Sequence, residues 1–166
     1  GLDEEALIYW TSPATPEYVY YTSFEDSAAA GFTGQGGFEI GEPDYAFGPD
    51  PGSGTSCWGT NLIGTYENGA YATLTSPVFD ISDMASPIMQ INHWYQIESY
   101  WDGGNVKIST DGGATWVILL PEEDYPEDAV YTGNAGIPGE VAYSGTTIGN
   151  FWHTVQFTLN ASDSLV

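Results

Sequence analysis

Along residues 88–97, "IMQINHWYQI", Ile88, Gln90 and Asn92 alternate with Met89, Ile91 and His93, with bulk on both faces. A two-residue period is the signature of a strand, and bulk on both faces places it at the centre of a covered sheet. Residues 151–159, "FWHTVQFTL", alternate in the same way, and 17–24, "EYVYYTSF", are rich in aromatic and β-branched residues. In 70–80, "AYATLTSPVFD", Tyr71, Thr73 and Thr75 alternate with Ala72, Leu74 and Ser76 before Pro77, which suits a strand edge because proline cannot donate to a ladder. The runs "NVKIS" (105–109) and "TWVILL" (115–120) flank "TDGGA", which predicts a hairpin: tight turns need positive φ, and glycine adopts it cheaply. Helix signals are scarce. Ala28–Ala30 could make one short turn before Gly31 ends it.

Many short strands separated by turns, without repeating β–α units, predict an all-β fold: an antiparallel β-sandwich of the jelly-roll type. Two long loops interrupt it, 41–58, rich in Gly and Pro, and 121–147, which opens with "PEEDYPED". Loops of that length in a compact domain usually carry function or are pinned by an ion. At 166 residues the chain fits one domain with a real core.

Charge changes the picture more than size does. The chain has 23 acidic residues against a single basic one, Lys107, for a formal net charge of −22. A nucleic-acid partner is excluded on these grounds, because phosphate binding needs Lys and Arg. Surface ion pairs are almost ruled out, so self-repulsion has to be offset by bound divalent cations or a saline medium. Cys57 is the only cysteine and cannot form an intrachain disulfide; a buried reduced thiol is expected. No apolar run approaches the ~18 residues of a membrane span, and "GLDEEALIYW" lacks the regions of a signal peptide. No direct membrane insertion is expected.

The stretch 109–116, "STDGGATW", is the Ser-x-Asp-x-Gly-x-Thr-Trp pattern of an Asp-box. Asp111 can accept N–H bonds across the turn, with Trp116 packing beneath. A β-propeller would need several blades of about 40 residues, so one copy reads as a turn and not as a glycan-cleaving site.

Several separated stretches together resemble one family. They are "SFEDSAAAGFT", "FEIGEPDYAFGP", "CWGTNLIGTYENGAYATLTSPVFDIS", "INHWYQIESYWDGGNVKISTDGGATWVIL" and "WHTVQFTL", in that order over roughly residues 22–160. They are similar to the extracellular, MAM-like jelly-roll module of immune inhibitor A-type metallopeptidases and bacterial surface proteins. The resemblance implies a non-catalytic β-sandwich that often holds a structural calcium. It also implies that the pattern continues past "VQFTLNASDSLV" into further strands, so this chain is expected to lack the last strands. It would then be a fragment, or a sandwich completed by another segment or chain. Residues 1–21 lie outside the resemblance, as a linker or an extra edge strand before a domain at 22–166.

Calcium takes about six to eight oxygens. The resemblance puts a metal-binding carboxylate near Glu25 and Asp26. Glu98 and Asp102, four apart in "IESYWDGG" at a strand end, can be gathered by a loop around an ion. The run Glu122, Glu123, Asp124, Glu127 and Asp128 reads as a solvated acidic loop. Trp94, Tyr95, Tyr100 and Trp101 flank the Glu98–Asp102 stretch and Trp58 lies in the glycine-rich loop; exposed rings there could stack on sugar faces, while buried ones would fill the core. His93 and His153 lie in separate strands with no metal-ligand spacing, and catalysis has little support. Asn160-Ala161-Ser162 matches a glycosylation acceptor, a frequent chance match.

The expected protein is therefore an extracellular or cell-surface module, calcium-stabilised, serving adhesion, docking or assembly beside other domains or subunits. The alternatives are a carbohydrate-binding module of a secreted hydrolase, with glycans as partners, and an assembly subunit completed by strand donation.

Overall fold

The structure, a computed structural model, describes residues 6–11, 16–25, 31–45 and 48–160. Asp26, the Ala28–Ala30 turn and Ser162 of the glycosylation motif lie outside them. The described residues form an all-β, antiparallel fold with no α-helix, consistent with a β-sandwich. The strands are β1 (Ala6–Thr11), β2 (Pro16–Thr22), β3 (Thr33–Gln35), β4 (Phe38–Gly41), β5 (Cys57–Thr60), β6 (Thr73–Thr75), β7 (Pro87–His93), β8 (Lys107–Ile108), β9 (Val117–Ile118) and β10 (His153–Thr158). The main sheet has the order β10-β7-β1-β2, and β3–β6, β4–β5 and β8–β9 form separate two-stranded pairs. Nothing helical among the described residues is long and apolar enough to cross a membrane.

The alternation in "IMQINHWYQI" places β7 inside the main sheet, between β10 and β1. The β10 register sets His153 opposite His93, Val155 opposite Ile91 and Phe157 opposite Met89. These pairs share one face of the sheet because side chains alternate along a strand. That face is the core: Val155, Phe157 and Leu159 are buried, and Met89 and Ile91 pack against them. Phe157 is 0% exposed. At the intervening register position, Gln90 Nε2 donates to Gln156 Oε1 at 3.0 Å, so amides rather than apolar groups pair there.

Residues 6–11 and 16–22 contribute two full strands, with β1 pairing to both β2 and β7. The outer edge of β10 is occupied locally. Glu122 N–H donates to Gln156 O at 2.9 Å, and Gln156 Nε2 and Thr158 Oγ1 donate to the Glu122 carboxylate at 2.8 and 3.0 Å. A capped edge is a poor template for pairing with another chain.

Several strands are shorter than the sequence pattern predicts: 88–97 yields Pro87–His93 and 151–159 yields His153–Thr158. The alternation over 70–80 yields only Thr73–Thr75, paired with Thr33–Gln35. The partner runs out at Gly36-Gly37, where a Cβ on Gly36 would stand 1.9 Å from the Tyr71 carbonyl oxygen. The backbones cross too closely there for the ladder to continue. The hairpin after residue 105 is also short, with a ladder of Lys107–Ile118 and Ile108–Val117 extended by Leu119 N–H to Val106 O at 2.9 Å. Tyr125, buried beneath it, accepts from Val106 N–H at 2.9 Å and donates to Leu119 O at 2.8 Å, clamping both strands with one hydroxyl.

The Asp-box is a turn built by local chemistry. Asp111 accepts from Thr115 N–H at 2.8 Å, Thr115 Oγ1 at 2.6 Å and Ser109 Oγ at 2.8 Å. Gly112 and Gly113 take φ of 74° and 88°. Those hydrogen bonds, led by the one from the Thr115 hydroxyl, lower the Asp111 pKa to about 2. Trp116 differs from the expectation: its Nε1 donates to Gly113 O at 3.1 Å, but the ring stays 48% exposed on the outer surface. A two-residue strand after the turn leaves little sheet for it to cover.

Candidate functional site

Beyond β7 the chain is held by Ile97 N–H donating to Gly145 O at 2.6 Å, and it turns back at 98–102, where Asp102 N–H donates to Glu98 O at 3.0 Å. Tyr100 sits in this turn with φ +72°. A left-handed backbone costs a side-chain-bearing residue about 1–2 kcal/mol. The surroundings hold it there: Tyr100 N–H donates to Ser144 Oγ at 3.0 Å, Ser144 Oγ donates to Asp102 O at 2.6 Å, and Tyr131 N–H donates to Tyr100 O at 2.7 Å.

The turn forms one wall of a cleft of about 350 Å³, whose other walls come from 68–70 and 131–135. Glu98, Trp101, Asp102, Tyr131, Asn134 and Asn68 line it. Tyr100, Trp101 and Tyr131 form a three-ring cluster at its side. Trp101 and Tyr131 have ring centroids 4.5 Å apart, Tyr100 and Trp101 5.8 Å, and Tyr100 and Tyr131 6.2 Å. All three remain open to solvent, at 49%, 48% and 38% exposure for Tyr100, Trp101 and Tyr131. Large rings that cluster without being buried mark a surface able to cover something else.

The two carboxylates of the cleft differ. Asp102 accepts from the Tyr66 hydroxyl at 3.0 Å through one oxygen and from Asn134 Nδ2 at 3.4 Å through the other. Tyr66 in turn accepts from Glu98 N–H at 3.2 Å. Burial pushes the Tyr66 pKa up, and the nearby Asp102 and Glu98 carboxylates add to that. Asn134 also donates to Trp101 O at 3.0 Å and accepts from Gly136 and Ile137 N–H at 2.9 and 3.0 Å, which ties loop 131–137 to the turn. Glu98 is exposed, and among the described residues its backbone alone engages the surrounding network.

The other sequence-derived candidates lie elsewhere. Glu25 pins the glycine-rich loop: its carboxylate accepts from Ser56 N–H at 2.7 Å, Thr55 N–H at 3.0 Å and Thr55 Oγ1 at 3.2 Å. Led by the Ser56 bond, these lower its pKa. Trp58 belongs to β5, where its ring lies against Gly34 and its Nε1 is buried. Trp94 is half-buried, donating to Asn150 Oδ1 at 2.8 Å with its ring near Tyr45. The structure thus brings together Glu98, Tyr100, Trp101 and Asp102, and places Glu25, Trp58 and Trp94 apart from them. Tyr66, Tyr131 and Asn134 were missed. Only the length of loop 121–147 and the "YTGNAG" run hinted at the last two.

The described donors at these positions fit calcium poorly. Among the described residues no three His, Cys, Asp or Glu side chains gather as a metal group. Glu25 is engaged by neutral donors, and Glu98 with Asp102 supplies two carboxylates toward about six to eight oxygens. Cys57 and His93 are not arranged as a nucleophile and base. Burial, with the charge of Glu25, pushes the Cys57 thiol up to about 11, leaving little thiolate at neutral pH. His93 is packed against the rings of Tyr95 and Tyr143, and burial, then the charge of His153, brings its pKa down to about 4.

Compared with known proteins, the chain is 33% identical over 101 residues to Bacillopeptidase F of Bacillus subtilis (strain 168), a match over 58% of this chain. The match spans only 7% of the length of that protein. No family model matches the chain, and no solved structure matches it significantly.

Proposed function

We propose that this chain is a non-catalytic β-sandwich module of a larger extracellular or cell-surface protein, and that it docks a ligand in the Glu98–Asp102 cleft. The carrying observation is the exposed three-ring cluster of Tyr100, Trp101 and Tyr131 beside two carboxylates in one cavity. The similarity to a small part of a protein named as a peptidase supports an accessory role. The raised thiol of Cys57 and the ring-packed His93 supply no nucleophile–base pair. Adhesion, substrate docking or assembly beside other domains follows from a site that binds without turnover.

A second reading keeps the cleft and makes its ligand a neutral glycan, favoured by the exposed Trp101 face next to Asn134. Titration calorimetry with neutral oligosaccharides and short blocked peptides tests both. Saturable binding that is lost in Trp101→Ala, with no cleavage of any bound probe, is expected. Binding indifferent to Trp101→Ala would move the site elsewhere, and turnover abolished by Glu98→Gln would make the chain an enzyme.

A further inference from the structure

We infer that the cleft takes a basic side chain, an arginine or lysine presented by a polypeptide partner; this rests on the cleft being the ligand site. The chemistry of the walls decides the class. Glu98 and Asp102 supply two carboxylates, and Trp101 and Tyr131, backed by Tyr100, supply aromatic rings, whose faces attract cations. The donors nearest the carboxylates are already used: the Tyr66 hydroxyl and Asn134 Nδ2 both point at Asp102. Asn68 adds one amide that both donates and accepts, so with two carboxylates what faces a ligand holds more acceptors and π-faces than donors. A sugar hydroxyl asks for both donors and acceptors, whereas a guanidinium or ammonium group only donates.

Charge completes the match. The chain carries −22 overall, and its single cation, Lys107, is held 2.7 Å from Glu140. No basic group of this chain can fill the cleft as an internal substitute. A bare metal ion fits less well, because two carboxylates are a thin donor set toward about six to eight oxygens. An arginine is the best fit: its planar group stacks on Trp101 or Tyr131 while its N–H fork meets Glu98, whose carboxylate is exposed. The cavity of about 350 Å³ admits a long side chain and the start of its backbone.

The test uses the full chain and three blocked tripeptides, acetyl-Gly-X-Gly-amide, with X arginine, lysine or citrulline, the uncharged isostere of arginine. Titration calorimetry at moderate ionic strength should show the arginine peptide binding at least tenfold tighter than the citrulline one. Trp101→Ala and Glu98→Gln should each weaken it about tenfold, while Glu123→Gln, which removes the same charge from an exposed loop, should not. The exposed Glu98 makes E98Q a variant that leaves the Tyr66–Asp102 anchor untouched. Equal affinity for arginine and citrulline, or equal weakening by Glu123→Gln, would overturn the proposal. So would calcium displacing the peptide with W101A having no effect. A neutral oligosaccharide that binds in a Trp101-dependent way while the arginine peptide does not would sink the basic side chain but leave the cleft as a ligand site. No binding of any probe would sink both.

Discussion

Lys107 Nζ lies 2.7 Å from Glu140 Oε2, and this pair uses the only lysine or arginine in the protein. Asn105 Nδ2 donates to the same carboxylate oxygen at 2.9 Å, so the start of the β8 hairpin is tied to loop 137–141 through one anion. Burial alone would raise the Glu140 pKa; the hydrogen bonds from Lys107 and Asn105 and the ammonium charge outweigh it, and the pKa is lowered. Elsewhere acids are met by hydroxyls, amides and backbone N–H groups: Glu25 by Ser56 and Thr55, Asp80 by Ser82, Asp111 by Thr115, Glu122 by Gln156 and Thr158. Neutral donors replace the missing cations.

Lys107→Met should therefore destabilise the fold by about 1 kcal/mol, since it leaves a partly buried carboxylate with fewer partners. Urea unfolding measures it. Pairing it with Glu140→Gln in a double-mutant cycle should show coupling of about 0.5–1 kcal/mol; strictly additive effects would mean that the pair contributes nothing of its own.

His93 predicts a pH dependence with a definite sign. Its folded-state pKa is about 4, against the ordinary imidazole value of 6.5. Below pH 6.5 the unfolded chain binds a proton that the folded chain refuses, so stability present above 6.5 is lost as pH falls toward 4. The loss is on the order of 3 kcal/mol and levels off below 4. Relief of carboxylate repulsion over the same range acts on any variant alike, so the quantity to measure is wild type minus His93→Gln. A difference that stays flat from pH 6.5 to 4 would show that His93 is not held neutral.

Glu25→Gln should loosen loop 54–56, because an amide oxygen accepts more weakly than the carboxylate that now receives Ser56 N–H and both Thr55 donors. Hydrogen exchange at Thr55 and Ser56 is expected to quicken. Unchanged protection would mean that the loop is held by something other than Glu25.

Gly36→Ala places a Cβ 1.9 Å from Tyr71 O at a backbone φ of +63°. The combination of clash and left-handed strain should cost about 2–4 kcal/mol. By contrast, Gly37→Ala meets no atom within 4 Å and suffers only its φ of +110°. Thermal unfolding of the two variants separates close approach from backbone conformation, and an equal fall in Tm would count against the crossing at Tyr71.

Chelation at fixed ionic strength should leave Tm nearly unchanged, since the described carboxylates do not gather into a calcium cage. An ion at a hundred times its dissociation constant would add about 2.7 kcal/mol, a shift easily seen. A large calcium-specific rise would restore the ion expected from the resemblance, with Glu98 and Asp102 the first residues to change.

The sequence by itself determined whatever depends on neighbours along the chain. Alternation in "IMQINHWYQI" and "FWHTVQFTL" was enough to locate β7 and β10, because side chains must alternate on a pleated strand, but with bulk on both faces it did not say which face is the core. "STDGGATW" specified its turn, since Asp111, Thr115 and two glycines meet within a few residues. Tertiary structure decided the rest. The ladders of β6, β8 and β9 end where a partner strand does, and partners are not visible from one segment. Trp58 went into packing and Trp116 to the surface according to what lies over them. The cleft exists because Tyr66, the 98–102 turn and Tyr131 with Asn134 converge from three loops. Their hydrogen bonds span 32 to 36 positions, and no local pattern encodes a contact at that range.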